Sequence, residues 1–213
     1  ACALLSANAE HALPMIKSDC LECMTAIAGA SEGIARQHAL FALANLAAQI
    51  WLHEAFGKCS PGVAVVASLV SLLGGELGEM EPMACRQGFR ALSNLALTAP
   101  HACEVLSLDP ELRVLAQVPG MPMEVQQQGL RLIVNLTSVK DLALQVVSKV
   151  DVPFLCTLLS AKDEAMQQDA VRAFCNLFDA CSVEKQLPPS LVSAEMIPRL
   201  VALVRSRSRP GVQ

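Results

Sequence analysis

Four asparagines share one local setting: Asn45, Asn94, Asn135 and Asn176 are each followed by Leu, and each stands four residues after Phe41, Arg90, Arg131 or Arg172. A carboxamide carries one acceptor and two donors, which match the C=O and N–H of an extended peptide. A guanidinium makes forked, charge-assisted bonds to carboxylates. Residues four apart lie on one helix face, and a further turn back adds Gln37, Arg86, Gln127 and Gln168. Asparagine is a poor helix former, so four in one phase require a reason. One reason is a ladder that holds an extended partner segment. A second is that the amides bridge to the backbone of a neighbouring repeat. The arginines could equally pair with Asp or Glu of the same chain, and the glutamines could form a solvated face.

Other chemistry finds little support. Cys20 and Cys23 have a two-ligand spacing, but no second pair completes a metal site. Spaced three apart on a helix, they read as core or rim. His11, His38, His53 and His101 are scattered, and no motif marks a nucleophile. Asp163-Glu164 and Glu79-Met80-Glu81 read as solvated loop patches, and Gly74-Gly75 as a helix stop. Arg205, Arg207 and Arg209 alternate with serine, as a disordered basic end, a phosphorylation target or a nuclear-type signal would. No catalytic residue, metal, cofactor or small-molecule substrate is expected, and the chain is not read as an enzyme.

The elements that must position the asparagines are helical. Counting back from each Asn, position −6 is small (Ala39, Gly88, Gly129, Ala170), −5 is apolar (Leu40, Phe89, Leu130, Val171) and −2 is apolar (Leu43, Leu92, Ile133, Phe174). These spacings of three, with Leu at +1, describe one face of a helix. The Asn intervals are 49, 41 and 41 residues. The longer first interval resolves into two four-residue insertions, one near Cys59–Gly62 and one within Gly74–Pro82, both rich in turn formers. A second helix is predicted before each segment (Met15–Ile27, Val63–Leu73, Glu111–Val118, Pro153–Leu159) and once more, unpartnered, at Ile197–Val204. Shorter first helices are predicted at Trp51–Phe56, Ala102–Leu108, Leu142–Val150 and Ser190–Glu195.

Composition agrees with an all-α chain. The 213 residues are 53% hydrophobic but only 3% aromatic, with no Tyr, and mean hydropathy is +0.43. This excludes intrinsic disorder, and a β-sandwich would require more aromatic and β-branched residues. A net charge of −4 argues against general nucleic-acid binding. The most apolar run, Val63–Leu73, is far short of the ~20 residues of a membrane span. The nine cysteines are expected to be mostly buried thiols in a reducing compartment. The chain opens on Ala1 in helical text without Met, as a fragment of something longer would.

A three-helix unit of about 41 residues ending in Leu-x-Asn-Leu resembles the armadillo repeat; Arg90–Pro100 (RALSNLALTAP) and Ala42–Gln49 (ALANLAAQ) are close to its third helix. The resemblance implies a right-handed α-solenoid of four to five repeats with truncated ends. The repeats fall at 12–49, 50–99, 100–140, 141–182 and, in part, 188–205, with a basic tail at 206–213. It also implies a cytoplasmic scaffold or adaptor, with the nucleus as a second location, whose concave groove binds partner proteins. In importin-α-like members a Trp stands four before the Asn and basic peptides are held. Here Arg occupies that place three times, which resembles β-catenin-type grooves that hold acidic extended segments. The expected partner-binding residues are Phe41, Asn45, Arg86, Arg90, Asn94, Arg131, Asn135, Arg172 and Asn176. The alternatives are a partner helix laid on the apolar segment Ser190–Val204 and, further off, an RNA-binding solenoid, for which only Phe41 could stack a base.

Overall fold

The computed structural model describes residues 1–18, 20–58, 65–75, 80–184, 191 and 196–207. Its helices are α1 (Cys2–Leu5), α2 (Ala9–Lys17), α3 (Cys20–Ala30), α4 (Gly33–Ala47), α5 (His53–Lys58), α6 (Val65–Leu73) and α7 (Pro82–Leu95). Then come α8 (Ala99–Leu108), α9 (Arg113–Ala116), α10 (Met123–Ser138), α11 (Lys140–Val147), α12 (Val152–Leu158), α13 (Glu164–Glu184) and α14 (Met196–Arg207). No strand occurs among the described residues. The chain divides into two compact units, Ala1–Asn135 and Leu136–Gln213.

Helices α4, α7, α10 and α13 are the four third helices that the repeated pattern predicts. Leu46, Leu95, Leu136 and Leu177, at +1, are fully buried, as are Leu40, Phe89 and Leu130 at −5. Position −6 is small because the second helix of the same repeat lies against it. A Cβ built on Gly88 would meet Leu73 Cδ2 at 3.0 Å, and one on Gly129 would meet both Val118 methyls at 2.6 and 2.7 Å. Rotating the valine cannot clear both methyls, whereas a leucine tip can move aside. Gly129→Ala is therefore expected to be destabilising: overpacking costs about 1–3 kcal/mol, against a helix-propensity gain of about 1 kcal/mol. Gly88→Ala should be near neutral. Urea denaturation of both, and of Gly129→Ala combined with Val118→Ala, separates the cases, and a stabilised Gly129→Ala would mean that the pair spreads freely.

Several elements differ from expectation. The segment Met15–Ile27 is divided between α2 and α3: Asn8 caps α2 by accepting from the Glu10 amide at 2.9 Å, and α2 ends at Ser18. The second helix of the third repeat shrinks to α9 plus a 3-10 turn at Val118–Gly120. Leu112, at φ 49°, is in the left-handed region, held there by burial and by the buried Asp109 carboxylate, which accepts from the Val114 amide at 2.9 Å. Helix α14 runs through Arg207, into the stretch read as a tail. The first insertion, the predicted helix Ser190–Glu195 apart from Leu191, and residues 76–79 of the second insertion lie outside the described residues. The cysteines are not mostly buried: Cys85, Cys156 and Cys181 are, but Cys2, Cys23, Cys103 and Cys175 are exposed. Helix phase decides this, since spacing within a helix and not residue type sets which face is covered.

Two core histidines meet edge to face at 5.5 Å. His53 Nε2–H donates to Ala47 O at 2.7 Å, since a carbonyl can only accept, and His101 Nδ1 lies 2.8 Å from Thr98 Oγ1. Burial, and then the neighbouring His53, pushes the His101 pKa below its ordinary value. The unfolded chain therefore takes up this proton first. Stability is expected to be level above about pH 7.5 and to fall as pH drops through about 6.5, the ordinary histidine value. Melting temperatures between pH 8 and 5 check this, and His101→Gln should flatten the slope.

Candidate partner-binding site

In the unit Ala1–Asn135 the asparagines are tied to the helix stacked before them. Asn94 Nδ2 donates to Ala44 O at 3.1 Å, and Asn135 Nδ2 to Ser93 O at 2.7 Å. Each carbonyl belongs to the residue just before the preceding repeat's Asn. Asn45 donates likewise to Ala3 O at 3.2 Å and contacts Ser6 Oγ at 3.4 Å. In the unit Leu136–Gln213, Asn176 Nδ2 donates to Thr137 Oγ1 at 3.2 Å. The amides thus bridge successive repeats, which explains a poor helix former held in one phase.

Arg90 is fixed from three sides. Its Nη2 donates to Asn45 Oδ1 at 3.1 Å, its Nη1 donates to Gln87 Oε1 at 3.3 Å, and its guanidinium carbon lies 5.7 Å from the centre of the Phe41 ring. Burial lowers its pKa from the usual arginine value, and the charges of Arg86 and Arg131 lower it further. Those three cations therefore share one neighbourhood. The buried Arg86 Nε has no hydrogen-bond partner. Arg131 is exposed. A groove of about 490 Å³ beside Arg86 is lined by Gln37, Pro82, Met83 and Val125, with the carboxylates of Glu81 and Glu124. It shares Gln37, Met83 and Arg86 with a second, largely apolar groove of about 810 Å³ that also includes Leu4, Ile27 and Phe41. In the other unit, exposed Arg172 pairs with Asp169 at 3.4 Å, and Gln168 Nε2 donates to Glu164 Oε1 at 3.1 Å.

No protein-family model and no curated protein matches the chain. Solved structures do. An engineered protein matches with a TM-score of 0.72 at 20% identity, covering 96% of this chain and 87% of its own. A designed armadillo repeat protein in complex with the peptide (KR)4 matches with a TM-score of 0.73 at 16% identity, covering 96% and 89%. The fold is that of the armadillo repeat. UNC-45 from Drosophila melanogaster matches with a TM-score of 0.62 at 15% identity, covering 95% of this chain and 27% of that one.

Within the armadillo frame, position −9 carries a role that the pattern did not suggest. Gln126 Nε2 donates to Pro119 O and Met121 O, Gln167 Nε2 to Leu159 O, and Cys85 Sγ to Met80 O. Each fastens the third helix to the chain entering it. Glutamine at −9 in α10 and α13 is the visible sign in the sequence. Cys20 is half-buried and Cys23 exposed, and no group of three metal-ligating side chains forms among the described residues. No described helix is long and apolar enough to cross a membrane.

Proposed function

We propose that the protein is an interaction scaffold whose third-helix faces bind an extended, acidic or polar segment of a partner protein. The observation that supports this best is the gathering of Arg86, Arg90 and Arg131 in one neighbourhood of an otherwise acidic chain, Arg90 being held rigid by Asn45, Gln87 and Phe41. A fixed guanidinium loses little further freedom on meeting a carboxylate. The asparagines supply the hydrogen bonds that tie successive repeats together. Glu81 and Glu124 line the groove beside Arg86 and would repel a partner's carboxylates there, which favours Arg90 and Arg131 as their seat. A second reading, a partner helix on α14, is favoured by the exposure of Ile197 and Val201.

Fluorescence anisotropy with labelled Asp/Glu-rich, Lys/Arg-rich and single-stranded RNA probes tests the proposal. The acidic peptide should bind tightest and weaken as salt rises. Preference for the basic peptide would overturn the reading, and preference for RNA would replace it. Partner binding indifferent to salt would point to α14.

A further inference from the structure

The 810 Å³ groove lies where α4 lacks the neighbour that the other third helices have. Positions −10 and −7 from the Asn are Ala84 and Gln87 in α7, Val125 and Gln128 in α10, and Met166 and Asp169 in α13; all six are buried, at 8% exposure or less. The same positions in α4 are Ala35 and His38, both exposed and both lining the groove. Ile34 beside them is 72% exposed. What differs is the element in front. Helix α4 packs extensively against α7, whereas α4 itself has before it the single turn α1.

That turn occupies the end of a third helix. Asn45 donates to Ala3 O as Asn94 does to Ala44 O and Asn135 to Ser93 O, so Ala3 takes the −1 place. Ser6 is then the counterpart of Ala47, Ala96 and Thr137, and all four are buried. Leu5 is the counterpart of Leu46, Leu95, Leu136 and Leu177, yet it is 43% exposed where those are fully buried. The segment that follows keeps the likeness: Ala9-Glu10-His11-Ala12 stands where Ala99-Pro100-His101-Ala102 stands.

We propose that this groove is the seat of an α-helix, and that its occupant is an amphipathic helix of the third-helix pattern lying in line with α1. A small or apolar face would rest on Ala35, His38 and Phe41, as α4 rests on α7. This goes beyond the peptide-binding reading: it concerns the inter-repeat face of α4 at Ala35 and His38, and meets the peptide-binding residues only at Phe41 and Arg86.

The test is a fusion in which Met83–Leu92 replaces Ala1-Cys2, so that Ala3 takes the place of Ser93 and the added turns enter in register. Hydrogen exchange of the amides from Ala35 to Phe41 should slow at least about tenfold, and Tm should rise by at least about 2–4 °C. Two extra alanines between Leu92 and Ala3 rotate the added stripe by about 200° and should abolish both effects. Ala35→Glu should leave the Tm of the unfused chain within about 1 °C, since surface changes matter little, but cancel the gain in the fusion. The proposal is overturned if the in-register fusion leaves exchange at Ala35–Phe41 unchanged. It is equally overturned if the shifted fusion or Ala35→Glu retains the full gain, or if an acidic extended peptide protects these amides where the fused helix does not.

Discussion

Leu136→Ala is expected to destabilise the protein by about 2–5 kcal/mol, the usual loss for a core leucine. Leu136 is fully buried at the +1 place of α10, and its counterparts in α4, α7 and α13 are buried to the same degree. Truncation removes apolar contacts and leaves a cavity that the flanking helices can close only in part. Asn135→Ala, one residue earlier on the same helix, provides the contrast. Its Nδ2 donates to Ser93 O at 2.7 Å, so losing it removes a hydrogen bond between repeats, worth about 0.5–1.5 kcal/mol. Urea denaturation followed by circular dichroism measures both. A Leu136→Ala change within error would place the wrong face of α10 inside. An Asn135→Ala loss as large as that of Leu136→Ala would make the amide a keystone of the stack, with little role left for it in ligand binding.

The third helices were legible because their signal is dense: five positions, four times over, in one phase. Burial of the +1 leucines and the small residue at −6 followed from that phase. The first repeat was harder to read, because α1 and α2 carry too little periodicity to separate from α3, and the break between them rests on one capping asparagine. The third repeat's short second helix depends on buried Asp109 and the left-handed Leu112, which no periodic pattern encodes. The asparagine donors were legible as chemistry but not as partners. Whether an amide meets a ligand or the carbonyl one repeat back depends on the separation of stacked helices, which is a tertiary distance. The arginine stripe likewise looked uniform in sequence. In the structure Arg90 is clamped and Arg172 is ion-paired, because Phe41 and Asn45 lie beside the first and Asp169 one turn before the second.

Reversing Arg90, Arg131 and Arg172 to glutamate is expected to lower affinity for an acidic partner segment by at least tenfold. Each reversal removes an attraction and introduces a repulsion. Exposed pairs are worth about 0.2–1 kcal/mol each, and desolvated ones more. Three such changes in sign exceed the roughly 1.4 kcal/mol that corresponds to a factor of ten. The fold should persist, since Arg131 and Arg172 are exposed. At Arg90 the loss of its bonds to Asn45 and Gln87 is offset in part by relief of repulsion from Arg86 and Arg131. Arginine-to-lysine changes at the same places separate charge from geometry: they keep the field but lose the forked bonds, so affinity should fall by less than in the glutamate variant while the salt dependence remains. Single reversals should rank with Arg90 first, because a half-buried, rigid cation interacts more strongly with a carboxylate than an exposed one does. A folded triple variant, verified by circular dichroism, that binds the acidic segment as the native chain does would remove the arginines from the site and leave the exposed face of α14 as the place to look.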